Sequence, residues 1–282
     1  MGMRGGRGFE VKRHSPGIAL VTFNQPDRLN GMTQPLKRDL LETVQQAQMD
    51  ETVRVVVFIG TGRAFSAGDD LAGGYQAHAK PAQVPALPGG HRTPIGTYDA
   101  LRVISQSVNL AVRGLDKLTV AAINGYAIQS GLSLALACDF RIASTEAQLG
   151  SATLRFGLLP DEGGQFLLVQ HLGVGRAMDF LMRKRIVTAA EALDLGLVHE
   201  VVPAAELLNR ALALARDLAE GPQVAMRLLK RSIYVAAEMS FAQALEDVAL
   251  RTAVSDHHAD AREGVQAFRE KRRPAFNQGL KG

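Results

Sequence analysis

The stretch Thr119 to Ala143, TVAAINGYAIQSGLSLALACDFRIA, decides the fold. Thr119 to Ile123 is a short run of apolar and β-branched residues closed by Asn124-Gly125, the pattern of a buried strand running into a turn. Apolar residues resume from Leu132 to Cys138 without polar alternation, which reads as a buried helix. Asp139 to Ala143 then reads as another strand. A strand, a loop holding small residues, a helix and a second strand make one unit of a parallel α/β sheet.

Working outward, the same order recurs upstream. Val53 to Ile59 (VRVVVFI) is nearly all apolar, as expected of a parallel strand covered on both faces. It ends at Gly60-Thr61-Gly62, and a second loop, Ala64 to Leu71, follows. The repeat thus falls at about 53–71 and 119–137. Further out, Ile18 to Phe23 reads as a strand and Asn24 to Asp27 as a turn. Thr33 suits a helix N-cap with Pro35 in the first turn, and Leu36, Leu40, Val44 and Ala47 share one face of that helix. Residues 72–98 are rich in Gly and Pro, so they are either functional or disordered. A helix is predicted over 99–114, and another opens at Gly163-Gly164 and ends near Gly173. From about Glu206 the chain is helical and charge-patterned, with no strand candidate.

Composition narrows the function. The 282 residues are 46% hydrophobic and 21% charged, an ordinary globular balance, and the formal charge is +4. Basic residues are scattered except at Arg183 to Arg185 and Lys271 to Arg273. Aromatics are 5% and Trp is absent, so platforms for stacking bases are scarce and nucleic acid is not an expected partner. A phosphorylated small molecule suits this charge better. Cys138 is the only cysteine, which rules out an intrachain disulfide and a cysteine-based metal site; it reads as a small buried hydrophobe. The seven histidines show no zinc-like spacing, and no metal is expected. The N-terminus, MGMRGGRG, carries charge without an apolar stretch and does not read as a signal peptide. No apolar run approaches the ~18 residues a membrane span needs. A cytoplasmic setting is expected.

Chemistry is placed by three elements. The loops Ala64 to Leu71 and Asn124 to Gly131 put small residues where the chain leaves a strand, which lets a ligand approach the backbone. A helix starts directly after the second, and its free N–H groups and dipole favour an anion or a developing oxyanion. Spacing alone favours two ordinary tight turns. The third element, Gly157 to Gly164 (GLLPDEGG), places Asp161 and Glu162 ahead of a Gly pair. Taken alone, the two carboxylates also suit plain N-terminal helix charges.

These motifs carry a resemblance. FxAGxDL at Phe65, INGYAxxxGLxLALACDxRIA at Ile123, GLLPDEGG at Gly157, AxxLGLVxEVVP at Ala192 and REGxxAFxEKRxPxF at Arg262 resemble, in this order, proteins of the enoyl-CoA hydratase/isomerase (crotonase) family. The resemblance runs from about Phe9 to Phe276. It implies an α/β fold, a spiral of repeated ββα units over residues 9–205 with a helical region over 206–282 that builds trimers or dimers of trimers. It implies an acyl-CoA thioester substrate and no resident cofactor, coenzyme A arriving as part of the substrate. The thioester carbonyl is expected between the main-chain N–H groups of Asp69 and Ser130, where Ser130 and Gln129 each replace a usual glycine. Arg28, Ala67, Gly68, Asp69, Asp70, Leu71, Ser130 and Gly131 match positions along the coenzyme A and acyl channel. Phe268 and Lys271 match positions at the nucleotide end, including ones contributed by a neighbouring subunit.

The departure from the family pattern is the most informative feature. The two glutamates with which hydratases add water are here Ser133 and Thr153, and hydroxyls are poor acids and bases near neutral pH. Asp161 matches the catalytic aspartate of single-aspartate enoyl-CoA isomerases such as ring-1,2-epoxyphenylacetyl-CoA isomerase, and Glu162 stands beside it as the second candidate. The expected chemistry is a double-bond shift with one carboxylate base. A hydratase or lyase with relocated acid and base groups, and an acyl-CoA binder without turnover, stay open as alternatives.

Overall fold

A computed structural model describes residues 2–70 and 93–279. In chain order these residues form β1 (Phe9–His14), β2 (Ile18–Phe23), α1 (Gln34–Met49), β3 (Val55–Gly60) and β4 (Ala64–Ser66). Then come α2 (Pro94–Ala100), a π-helical turn (Leu101–Ser105), α3 (Gln106–Gly114), β5 (Leu118–Ile123), β6 (Tyr126–Ile128), α4 (Ser130–Ala137), β7 (Phe140–Ser144) and β8 (Gln148–Gly150). The rest are α5 (Gly164–Met182), β9 (Ile186–Thr188), α6 (Ala189–Asp194), β10 (Glu200–Val202), α7 (Leu207–Glu220), α8 (Gln223–Ala236), α9 (Phe241–Asp256) and α10 (Ala259–Glu270).

The described strands build two sheets. The first runs β1-β2-β3-β5-β7-β10, antiparallel only between β1 and β2; the second runs β4-β6-β8-β9, parallel as far as β8. Successive strand pairs β3/β4, β5/β6 and β7/β8 therefore place one strand in each sheet. After β5/β6 comes α4, and after β7/β8 comes α5, which is the spiral ββα repeat expected from the sequence.

Side-chain alternation explains why the first sheet is covered on both faces. Val21, Phe23, Val56, Phe58, Ala121 and Ile123 point into a core shared with α1, α3 and α4. Leu20, Val55, Val57, Val120 and Ala122 point the other way, onto Leu207, Ala211, Ala215 and Leu218 of α7. The helical region expected from Glu206 thus begins with a helix that closes the sheet, and α8 to α10 lie beyond it. Buried Lys230 docks α8 through Asp139 at 2.8 Å and the Lys117 carbonyl at 2.9 Å.

The Thr33 cap is present, its hydroxyl accepting from the Leu36 N–H at 3.3 Å, and Leu36, Leu40, Val44 and Ala47 are all buried. Three expectations are corrected. Ala64–Ser66 and Tyr126–Ile128 are strands rather than parts of loops; three residues are too few to show alternation in the sequence. The helix after Gly164 continues through a kink at Gly173 (φ 73°, ψ 165°) to Met182, because glycine adopts that conformation without a Cβ penalty. The predicted 99–114 helix is broken into α2, the π-helical turn and α3. Among the described residues no helix is long and apolar enough to cross a membrane.

Candidate active site

β4 and β6 pair in parallel, so the two loops singled out in the sequence leave the same end of adjacent strands. Their closeness depends on glycine. A Cβ on Gly131 would lie 2.2 Å from the Ser66 carbonyl oxygen, so only glycine lets α4 start against β4. Gly68 sits at φ +96° and packs against Gln129, where its own Cβ would come within 3.1 Å of the Gln129 Cβ. The first loop is also tied to the segment before α1: Ala67 N–H donates to the Leu29 carbonyl at 3.0 Å, and Met32 N–H to the Gly68 carbonyl at 2.8 Å. Asp69 and Ser130 are thereby brought together, the Ser130 hydroxyl donating to Asp69 Oδ1 at 2.9 Å. Among the described residues neither main-chain N–H of this pair donates to a protein oxygen.

A buried lysine lies behind these loops. Lys37 of α1, its side chain 2% exposed, places Nζ 2.5 Å from Asp69 Oδ1 and 3.2 Å from the Ser105 hydroxyl, and it pairs with Glu162 Oε1. An ammonium has three N–H donors, and each has an oxygen here. Burial pushes the Glu162 carboxyl up to about 7, with the nearby Asp69 and Asp161 carboxylates adding to the rise and Lys37 opposing it. Burial by itself would lower Lys37, but Glu162 and Asp69 together outweigh it and hold the ammonium above its ordinary value. The lysine keeps its charge, and burial holds the glutamate above the ordinary carboxylate range.

The turn carrying Asp161 and Glu162 precedes α5, with Gly163 at its N-cap (φ 86°). Gln106 Nε2 donates to the Asp161 carbonyl at 2.8 Å, and Asn109 Nδ2 to the Glu162 carbonyl at 2.9 Å, so α3 fixes the turn's backbone. The two side chains separate. Glu162 is buried against Lys37, while Asp161 is only half-buried. The turn abuts the start of α4, since a Cβ on Gly164 would meet the Ser133 hydroxyl at 2.8 Å.

Ser133 and Thr153 occupy the positions where hydratase glutamates were sought. Thr153 Oγ1 donates at 3.4 Å, and Ser151 Oγ at 3.0 Å, to Oε1 of Gln129, a buried side chain on a backbone at φ 50°. Arg28 pairs with Asp70 at the outer edge of the first loop. Phe268 and Lys271 lie at the exposed end of α10, which packs against α9, so the described chain does not bring them to the loops. Leu71 and residues 72–92 of the Gly- and Pro-rich stretch lie outside the described residues. The pocket beneath α8, lined by Asp139, Lys230 and Tyr234 among others, shares no residue with the loops.

Lys37 is the buried charge at this site that sequence reasoning passed over. Its signal was present: Lys37 lies seven residues before Val44, on the stripe that α1 buries. A lysine on a buried stripe requires a carboxylate partner.

Known proteins resemble this chain over nearly its whole length. The model of a family described as enoyl-CoA hydratase/isomerase matches residues 13–279. The Bacillus subtilis protein YngF, named for the same two activities, is 34% identical over 271 residues, covering 95% of this chain and 96% of its own. A 1,2-epoxyphenylacetyl-CoA isomerase of Escherichia coli is 32% identical over 271 residues, covering 95% and 98%. The crystal structure of an enoyl-CoA hydratase from Bacillus anthracis superposes with a TM-score of 0.85 at 30% identity, covering 96% and 99% of the two chains.

Proposed function

Because this chain belongs to the enoyl-CoA hydratase/isomerase family, we propose that it shifts a double bond within an enoyl-CoA thioester, with Asp161 as the single base. One observation carries the reading. The turn bearing Asp161 packs against the start of α4 beside the Asp69–Ser130 pair, while the flanking positions Ser133 and Thr153 hold only hydroxyls.

In this reading the Asp69 and Ser130 N–H groups receive the thioester oxygen. The Asp161 carboxylate takes a proton from one carbon of the acyl chain, and the electron pair moves into the conjugated system to give a dienolate with its charge on that oxygen. Each such N–H donor is worth roughly 3–4 kcal/mol in the transition state. Asp161 then returns the proton to the other terminus, so no atom is gained or lost. The coenzyme A comes with the substrate and the step uses no resident cofactor. In this reading Arg28, Asp70, Gly131 and the loop from Ala67 to Asp70 border the thioester. Glu162 is buried and engaged by Lys37, and the base is assigned to the half-buried Asp161.

Self-association belongs to the same proposal. Phe241, Leu245, Leu250 and Val254 of α9 and Phe268 of α10 are exposed apolar side chains beyond the core. Packing against further copies would cover them and is the route by which Phe268 and Lys271 reach a nucleotide on a neighbouring subunit. Sedimentation at micromolar concentration is expected to give a trimer or its double, and a monomer would remove this part.

The test of the chemistry is incubation with paired 2-enoyl- and 3-enoyl-CoA esters in D₂O, read by mass. The expected product is the positional isomer with exchange and no added water, and Asp161→Asn is expected to reduce turnover by roughly 10²-fold or more with ester affinity retained. Addition of water would favour a hydratase. Binding without turnover on any ester would favour a non-catalytic binder.

A further inference from the structure

The Lys37 ammonium touches three separate parts of the candidate site and reaches a fourth through one of them. It bonds Asp69 after β4, Ser105 in the π-helical turn and Glu162 before α5, and through Asp69 Oδ1 it reaches the Ser130 hydroxyl at the start of α4. Gln34, one turn earlier on α1, donates to the same Ser105 hydroxyl at 3.3 Å. Lys37 and Ser105 are buried, and α1 is held by the apolar stripe Leu36, Leu40 and Val44. A buried ammonium anchored on a rigid helix is a fixed point, whereas Asp69 sits in a loop whose side chain is 21% exposed. π-helical turns inside helices recur at functional sites, and the Ser105 hydroxyl in this one accepts from Lys37.

From this arrangement we infer that Lys37 is a positioning residue: it sets the spacing of the Asp69 and Ser130 main-chain donors and locks them to the turn that carries Asp161. The inference rests on the proposed role of those two N–H groups as the oxyanion site. Lys37 itself touches no reacting atom. Its hold on Asp69 Oδ1 fixes where the Asp69 N–H points, and its hold on Glu162 fixes the neighbouring Asp161. A misplacement near 1 Å at such donors is enough to lower rates by roughly 10²-fold.

The test uses the full-length protein and butyryl-CoA labelled with ¹³C at the thioester carbonyl, a saturated ester that has no double bond to shift. Wild type is expected to lower the carbonyl stretching frequency on binding, as two aligned N–H donors polarise the bond. Lys37→Met is expected to lose most of that shift and to lower kcat on an enoyl ester roughly tenfold to 10²-fold, while free coenzyme A binds as before. Lys37→Met/Glu162→Gln removes the unpaired buried glutamate charge. It is expected to regain stability without regaining the carbonyl shift, and it stands in for the single variant if that one fails to fold. Retention of the shift in Lys37→Met, or in the double variant, overturns the inference, since Lys37 would then serve only to neutralise Glu162. Absence of a shift in wild type overturns the oxyanion reading itself, and this inference with it.

Discussion

Gly131→Ala tests the geometry of the loop pair most directly. Gly131 is absent from the left-handed region of the backbone, so alanine fits the dihedral angles of α4. Alanine in a helix is even favoured over glycine by up to about 1 kcal/mol. The obstacle is purely steric. The new Cβ would sit 2.2 Å from the Ser66 oxygen and 3.0 Å from both the Ser66 carbonyl carbon and its Cβ. To reach even 3.0 Å from that oxygen, α4 and β4 have to part by about 0.8 Å. Overpacking of this kind costs about 1–3 kcal/mol, so after a helix-propensity gain of about 1 kcal/mol the net loss of stability is about 0–2 kcal/mol. The displacement passes straight to Ser130 against Asp69, and turnover is expected to fall by roughly 10²-fold. Urea unfolding gives the first quantity, and initial rates with an enoyl-CoA ester well below the variant's own melting midpoint give the second. Gly157→Ala is the control: it has open space around its Cβ but a φ of +70°, so it carries a backbone cost of about 1 kcal/mol with no effect on rate. If Gly131→Ala keeps kcat within about twofold of wild type, or if the two variants behave alike, the steric argument is wrong.

Three further outcomes are expected. Phe23→Ala removes a fully buried ring that stacks on Phe58 at 6.4 Å and meets Phe65 edge-on at 5.6 Å, and a loss of about 3–5 kcal/mol by chemical denaturation is expected; a loss below about 1 kcal/mol would contradict the packing. Burial raises Glu162 from 4.5 to about 7, so the folded protein binds this proton more tightly than the unfolded chain. That contribution is complete below about pH 4.5 and fades as pH rises to about 7, on the order of 3 kcal/mol in all. The difference in unfolding free energy between wild type and Glu162→Gln should therefore change across this window, and a pH-independent difference would show that Glu162 does not titrate there. Burial pushes the Cys138 thiol up to about 12, so native protein at pH 8 is expected to resist an aromatic disulfide reagent that labels it fully in denaturant; rapid native labelling would place Cys138 at the surface.

The sequence by itself determined what depends on neighbouring residues. β2, β3, β5 and α4 are legible because a run of apolar residues between turn formers means much the same wherever the chain goes. The Thr33 cap and the buried stripe of α1 are local for the same reason, and the carboxylates ahead of Gly163-Gly164 mark a helix start without any knowledge of the fold. Only the tertiary structure decided what meets across long separations. β4 and β6 are three residues each and acquire their identity by pairing with one another, sixty-odd positions apart. Whether Asp161 or Glu162 is buried depends on where α1 lies, because Lys37 is 125 residues from Glu162 and 32 from Asp69. A lysine carries the same charge on a solvated face and in a core. Burial removes the water that would screen that charge and obliges it to find carboxylates, and burial is a property of the folded chain.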